Sequence, residues 1–402
     1  MSWKECSPMD ERLRFVSLAL LHDVSHSELC RTFGISRKTG YKWLQRYQAG
    51  GRPGLADASR RPLHVPSRLS VELVLEIVRQ RLLHPRWGAA KLRALLARSV
   101  PAAQLPSTRS VGRALERAQL TLPPKRRHRQ GERLQNRLVA AAPNDVWTVD
   151  FKGWWRTQDG RRCEPLTIRD EFSRFLLSVQ ALPGTDTGSV RGIFEEVFRR
   201  YGLPKVIQSD NGTPFASSNS VCGLTQLSAW WLALGIHLNR SRPAHPQDNG
   251  GHERMHRDLR QEVQIRPLAD LPSQQARLED WREEFNHVRP HEALGQQSPA
   301  SVYRRSSRPY PEAAIDVEYP AEYEVRMVRR DGTVKYRGRL AFISQALAHW
   351  PIGVQMISDH RARVWFTDVC LGESDPDLLA PLRPPAYAAQ EGLSGGVAEV
   401  TV

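Results

Sequence analysis

Three acidic residues stand in settings that restrict both the fold of this chain and its chemistry. Asp150 lies in Trp147-Thr148-Val149-Asp150-Phe151-Lys152, Asp210 in Val206-Ile207-Gln208-Ser209-Asp210-Asn211-Gly212, and Glu253 in Asn249-Gly250-Gly251-His252-Glu253-Arg254. In the first segment Trp147, Val149 and Phe151 alternate with Thr148, Asp150 and Lys152. That is the period of a half-buried strand, so Asp150 faces away from the tryptophan. In the second, a short apolar strand runs into a strong turn signal. Asp210 is thereby set at a strand's carboxyl end, where ligand sites of α/β sheets lie. In the third, a helix is predicted to start near Asn249, with Met255, Leu259 and Val263 as its buried stripe. Glu253, His256, Arg257 and Arg260 share another face. That face is either a metal ligand beside a DNA track or a solvated surface laced by i,i+4 ion pairs.

Charge narrows the choice. The 402 residues carry 58 Lys+Arg against 43 Asp+Glu, a net charge of +15, which favours a polyanionic partner. Carboxylates able to gather Mg²⁺ within a cationic protein point to phosphoryl transfer on nucleic acid. No apolar run approaches the ~20 residues of a membrane helix. Glu5, Asp10 and Glu11 do not suit a signal peptide. Cys6, Cys30, Cys163, Cys222 and Cys370 are scattered, without Cys-x-x-Cys or zinc-finger spacing. They are expected to be reduced core residues of a cytosolic protein.

The order D…DNG…(N/Q)G-x-x-E-R resembles the catalytic core of DDE transposases and retroviral-type integrases. Further segments extend the resemblance to bacterial insertion-sequence transposases with an integrase core. They are residues 143–152, Tyr201-Gly202-Leu203-Pro204, Arg242-Pro243-Ala244-His245-Pro246-Gln247, and Asn286-His287-Val288-Arg289-Pro290-His291-Glu292-Ala293-Leu294-Gly295. It covers roughly residues 10–375. It implies an RNase H-like fold and DNA cleavage followed by strand transfer. It also implies that Asp150, Asp210 and Glu253 are catalytic and hold two Mg²⁺ ions, with Mn²⁺ able to substitute. Residues 216–228 read as an insertion relative to retroviral members. The residues Asp248-Asn249-Gly250-Gly251-His252 differ from the common wording before the glutamate.

The N-terminal segment carries its own device. Residues 27–33 and 37–47 read as helices about the turn Gly34-Ile35-Ser36, a helix-turn-helix over residues 1–50 with Ser36 capping the second helix. Leu29, Phe33, Ile35, Leu44 and Tyr47 are its expected core. Arg37, Lys38, Lys42 and Arg46 face outward for phosphates and base edges. Residues 51–67 form a basic linker; Gly51-Arg52-Pro53 is either plain linker or a minor-groove hook with Arg52 as the reader. Residues 68–122 form a second helical module, with Val71, Val74, Val78 and Leu82 as one amphipathic face and Ser107 or Thr108 as a cap. The resemblance makes it a second helix-turn-helix; periodicity alone equally allows three packing helices. Residues 123–142 are a second basic linker, where Lys125, Arg126 and Arg127 either clamp phosphates or are simply solvated.

The core, residues 143–305, is expected to be an α/β mixed five-stranded sheet with helices on both faces. Asp170 and Glu171 read as a polar turn rather than metal ligands, and His245 and Gln247 as either DNA contacts or helix caps. Residues 315–375 alternate as short strands, with Tyr323, Val325 and Met327 on one side and a turn at Asp331-Gly332, which suggests a small SH3-like β-barrel. Residues 376–402 look disordered. The expected partners are double-stranded DNA, as element terminal repeats and target, and further copies of the chain in an oligomer on that DNA, with no membrane. Glu262 and Glu292 are the reserve candidates for the third ligand. The competing functions are a catalytically inactive or domesticated DNA-binding regulator and a simple nuclease.

Overall fold

The computed structural model describes residues 7–58, 69–121, 139–218, 220–241 and 250–383. The chain divides into two compact units, Met1–Ser70 and Val71–Val402.

In the first unit, α1 (Pro8–Leu21), α2 (His26–Thr32) and α3 (Arg37–Gly50) each begin at a serine, Ser7, Ser25 and Ser36. Each serine side chain accepts a backbone N–H of the first turn, the usual way an exposed helix start is satisfied. The α2–α3 turn places Gly34 at φ +64°, a conformation that favours glycine. The core is Phe15, Val16, Leu29, Cys30, Trp43 and Leu55, with Phe33, Ile35 and Tyr47 at its margin. Trp43 thus takes the place expected for Leu44. The cause is α1, which sequence periodicity did not reveal: Phe15 and Val16 pack onto the unit and turn the buried face of α3 by one residue. Arg52 and Pro53 belong to a short 3-10 turn, Arg52–Leu55, whose Leu55 is fully buried. This part of the expected linker is integral to the domain.

The second unit opens with α4 (Val71–Leu83), α5 (Ala89–Leu96) and α6 (Thr108–Arg117), the last capped by Ser107. The buried positions of α4 are Ile77 and Arg81, while Val71 and Leu82 are exposed, which corrects the expected face. Arg81 turns inward to donate to the carbonyls of Pro85 at 3.1 Å and Trp87 at 2.6 Å. These helices dock on the core through Trp87, over which the Arg289 guanidinium lies at 5.4 Å, and through Arg98, which donates to the Val288 carbonyl at 2.9 Å.

The core elements are β1 (Val146–Phe151), β2 (Trp155–Arg156), β3 (Arg162–Asp170), β4 (Leu176–Leu182), α7 (Thr187–Tyr201), β5 (Val206–Ser209), α8 (Gln226–Ala233), β6 (His237–Arg240), α9 (Gly250–Leu259) and α10 (Leu271–Glu283). β3 pairs antiparallel with β1, β4 and the two-residue β2; β1, β5 and β6 run parallel. The sheet is mixed, as expected, but β2 makes it six-stranded. Phe194 and Phe198 of α7 and Trp230 and Trp231 of α8 pack with Trp147, Val149 and Ile168 on one face. On the other, Met255, Leu259, Val263, Leu278, Trp281 and Phe285 pack with Cys163, Leu176 and Val179. The free edge of β4 is covered by side chains that imitate a strand. Gln275 accepts from Ala181 N and donates to Val179 O; Asn286 does the same with Leu176 N and O.

Six further strands follow: β7 (Glu324–Met327), β8 (Thr333–Tyr336), β9 (Arg339–Phe342), β10 (Pro351–Ser358), β11 (Arg361–Phe366) and β12 (Val369–Ser374). They form an antiparallel sheet β12-β11-β10-β7 and a separate β8-β9 hairpin, so ladder hydrogen bonds do not close one barrel among the described residues. Val334, Tyr336, Ile352, Val354, Val364 and Phe366 are continuous with the main core. On β7 the expected sidedness is reversed: Val325 and Met327 are exposed, and Glu324 and Arg326 are half-buried. Glu324 accepts from Tyr336 Oη at 3.1 Å, while the apolar inward role passes to Val328. The insertion at 216–228 joins this region to the core, with Ser220 Oγ 3.1 Å from Ser344 Oγ and the Cys222 thiol against the Cys370 and Leu371 carbonyls. Leu378 is buried and Arg383 bridges Glu373, which corrects the expectation of disorder for residues 376–383; the residues after Arg383 lie outside those described.

Candidate active site

Asp150 is the fifth residue of β1, directly across from Thr167 of β3. β5 runs parallel to β1 with Trp147 against Ile207 and Thr148 against Gln208. β5 ends at Ser209, so Asp210 follows it directly, at the same end of the parallel pair as Asp150, and its charge acts on the Asp150 carboxyl. The turn beyond holds it: Asp210 Oδ1 accepts from Gly212 N at 3.2 Å, and Asn211 Nδ2 donates to Ser241 O at 2.7 Å. Glu253 lies exposed in the first turn of α9.

The three acids act on one another. The Asp150 carboxyl is pushed up to about 7, first by burial and then by the negative field of Asp210. A backbone hydrogen bond from Phe151 opposes the shift, Glu253 adds to it, and the Lys152 ammonium reduces it. A carboxyl so perturbed by burial and then by like charges at a strand end marks a functional site, and a divalent cation would relieve the repulsion. The donors are hard oxygens, a set that suits Mg²⁺ or Mn²⁺.

α9 is anchored to the sheet by polar contacts on the face that bears Asp150. His252 Nδ1 lies 2.9 Å from Thr148 Oγ1 and its Nε2 2.6 Å from Thr167 Oγ1. His256 Nε2 lies 2.8 Å from the same Thr167 oxygen. Its Nδ1 lies 3.7 Å from Asp150 Oδ2. Burial pushes both imidazoles down, His256 to about 3, with the charges of Lys152 and Arg169 adding to the effect on His256. His256 is therefore a neutral, buried side chain; the expectation that it faces DNA is corrected. A residue three positions after Glu253 turns under the helix here because Thr167 offers it a hydroxyl.

Gly251 sits where no side chain fits: a Cβ there would come within 2.7 Å of Arg169 Nη2. Arg169 is buried and pairs with Glu171, which also binds Arg174. Asp170 accepts from Asn144 N and Ser173 N. Both acids are thus structural, as the sequence suggested. Glu262 is engaged by Trp281 Nε1 at 2.7 Å and by Arg289, which removes it as a rival to Glu253. Glu292 opens a short 3-10 turn.

Arg257 is exposed on α9 and Arg260 on the π-helical turn that follows it, Arg260–Gln264; Lys152 is half-buried near Arg260, whose charge helps burial push the Lys152 ammonium down. Sequence reasoning assigned Lys152 no role although it ends the Asp150 segment; its position two residues after Asp150 on the same side of β1 was the available signal. His252, Thr148 and Thr167 were missed for want of any sequence signal linking separate elements. In the N-terminal unit Arg37, Lys38 and Lys42 are exposed on α3, while Arg46 is half-buried with its guanidinium 5.3 Å from the Trp43 ring. Arg52 is exposed, 3.9 Å from Asp10. Lys125, Arg126, Arg127, His245 and Gln247 lie outside the described residues.

Residues 140–246 and 234–299 match integrase core domain families. Residues 11–62 match a helix-turn-helix domain and residues 39–115 a homeodomain-like domain. The insertion element IS476 uncharacterized 39.2 kDa protein of Xanthomonas euvesicatoria is 27% identical over 61% of this chain and 69% of its own length. The insertion element IS407 uncharacterized 31.7 kDa protein of Burkholderia multivorans is 27% identical over 69% of this chain and 90% of its own. The Gag-Pol polyprotein of Baboon endogenous virus is 32% identical over 35% of this chain and 7% of its own. Fold, clustered carboxylates and these matches define a polynucleotidyl transferase with an integrase-type, RNase H-like core. More particularly, the chain carries this core behind helix-turn-helix domains and is similar to proteins of bacterial insertion elements.

Proposed function

We propose that this protein binds the ends of a mobile DNA element, cuts them and joins them to target DNA at the Asp150, Asp210 and Glu253 site. The observation that carries this is the setting of Asp150, whose carboxyl is pushed up to about 7 by burial first and then by the charge of Asp210 beyond β5, with Glu253 of α9 adding to the shift. Asp150, Asp210 and Glu253 would hold two Mg²⁺ ions. Bound cations there supply charge neutralisation at the scissile phosphate and activation of the attacking hydroxyl. Lys152, Arg257 and Arg260 draw the phosphate backbone toward the acids, and no side-chain nucleophile is required. Arg37, Lys38 and Lys42 on the second helix of the helix-turn-helix would read the element's ends, a role their exposure supports. Because two ends must be cut and joined together, the working form is an oligomer on paired DNA ends, in the bacterial cytoplasm at the nucleoid.

The test is incubation with the DNA flanking its own gene, in Mg²⁺, followed by mapping of cut and joined ends. Cuts at the element's boundaries with 3′-ends joined to new sites are expected. Specific binding without cutting would instead favour a regulator, and unspecific cutting without joining a nuclease.

A further inference from the structure

We propose that Nδ1 of His256 is an additional metal ligand beside Asp150, so that the centre is built for a divalent ion with affinity for imidazole, Mn²⁺ ahead of Mg²⁺. The inference rests on the acidic cluster being a metal site and adds a nitrogen donor to it.

One hydrogen atom decides both imidazole tautomers. The Thr167 hydroxyl has a single proton, and it donates that proton to the backbone carbonyl of Asp150 at 2.9 Å. Its oxygen therefore accepts from His252 Nε2 at 2.6 Å and from His256 Nε2 at 2.8 Å. Both neutral rings carry their proton on Nε2, which leaves a lone pair on each Nδ1. His252 Nδ1 is occupied by the Thr148 hydroxyl at 2.9 Å, a hydroxyl that also reaches the Arg169 carbonyl at 3.4 Å. The His256 lone pair receives no hydrogen bond from a described residue, and the atom lies 3.7 Å from Asp150 Oδ2.

Two acceptors facing each other, one on a nine-tenths buried imidazole and the other on a half-buried carboxyl, repel unless a cation or a proton lies between them. Asp150, His252 and His256 offer donor atoms within 4.8 Å of one another among the described residues, but both His252 nitrogens are already used. His256 is the one with a nitrogen to give. A separation of 3.7 Å lies within the span of two donors that each stand about 2.1 Å from a shared ion. Imidazole favours Mn²⁺ and later transition metals over Mg²⁺. The Thr167 hydrogen bond, fixing tautomer and ring orientation from behind, is the arrangement by which metal-bound histidines are held.

The experiment uses the full chain with Mn²⁺ as the probe and electron spin-echo spectroscopy as the readout. Wild type should bind Mn²⁺ with ¹⁴N coupling from a directly bound imidazole. The coupling should vanish in His256→Ala and His256→Gln. Mn²⁺ should bind wild type about tenfold more tightly than Mg²⁺, a preference shrinking to about two- to threefold in the variants. Manganese bound to wild type without nitrogen coupling overturns the inference and leaves the carboxylate site standing, an outcome that needs no variant to fold. Coupling that persists in His256→Gln or in Asp150→Asn places the nitrogen elsewhere and also overturns it. Failure of wild type to bind Mn²⁺ at all would sink the acidic metal site itself.

Discussion

The two faces of β1 differ as sharply as any two regions of this protein. Trp147 and Val149 are fully buried in a continuous apolar core with Phe198, Trp230 and Trp231. One residue over, Thr148 and Asp150 face two neutral histidines, a shared threonine hydroxyl and the charges of Lys152 and Arg169. Both faces are covered by helices, but only the first gains from transfer of apolar surface out of water. The second holds a carboxyl that burial and neighbouring acids strain toward protonation. One strand thus separates stability from chemistry by the alternation of its side chains.

The comparison breaks most visibly at Asp150. Asp150→Asn should lower DNA cutting by on the order of 10³-fold or more, as should Asp210→Asn and Glu253→Gln, with gel-shift binding retained. Because the replaced carboxyl is strained, the Asp150→Asn protein should melt no lower than wild type at neutral pH. On the opposite face Trp147→Ala should cost about 3–5 kcal/mol in denaturant unfolding, by leaving a cavity and orphaning Asn144 Oδ1 from one of its donors. If Trp147→Ala kept its stability while Asp150→Asn lost it, the two faces would have exchanged roles.

Thr167→Val gives an intermediate effect. It keeps shape but removes the hydroxyl shared by His252 Nε2, His256 Nε2 and the Asp150 carbonyl. A destabilisation of about 1–3 kcal/mol is expected from the groups left unsatisfied. Cutting should fall about tenfold because α9 loses its anchor beside Glu253. Unchanged cutting and melting would show that the histidine–threonine contacts are incidental.

A pH dependence, which needs no substitution, tests the same face. Asp150 titrates near 7 in the metal-free fold, above the ordinary carboxylate range it has when unfolded. The folded state then binds the extra proton, so this group's contribution to stability is present at low pH and lost as pH rises toward 7. Metal must displace the same proton, so Mg²⁺ affinity should rise about tenfold per pH unit below 7 and level off above it. Calorimetric titration between pH 5 and 8, an interval chosen about that value, would show a flat profile if Asp150 were an ordinary carboxylate.

Much of this contrast is legible in the sequence. The alternation through residues 147–152 assigns β1 its two faces, and the turn after Ser209 puts Asp210 at a strand end. The period-four stripe of Met255, Leu259 and Val263 marks the apolar side of α9. What stays hidden are matters of partnership between distant segments. His256 looks like a surface base because periodicity cannot say that a threonine 89 residues earlier will receive it. Trp43 replaces Leu44 because α1 supplies the missing cover. Val325 and Met327 turn outward because β7 takes its register from Val328 and β10. Arg289 and Asn286, prominent in the motif that carries the family resemblance, bind Asp258 and the edge of β4; they serve the scaffold.

The central claim is that a metal ion held by these carboxylates touches the phosphate being cut. It is tested most directly by placing sulfur at a non-bridging oxygen of the scissile phosphate and comparing Mg²⁺ with Mn²⁺. Sulfur binds Mg²⁺ poorly and Mn²⁺ tolerably, so the substituted DNA should be cut on the order of 10²-fold more slowly in Mg²⁺ and recover most of that loss in Mn²⁺. An equal slowing in both metals, with either phosphorothioate diastereomer, would contradict a direct contact between metal and phosphate at the Asp150 site.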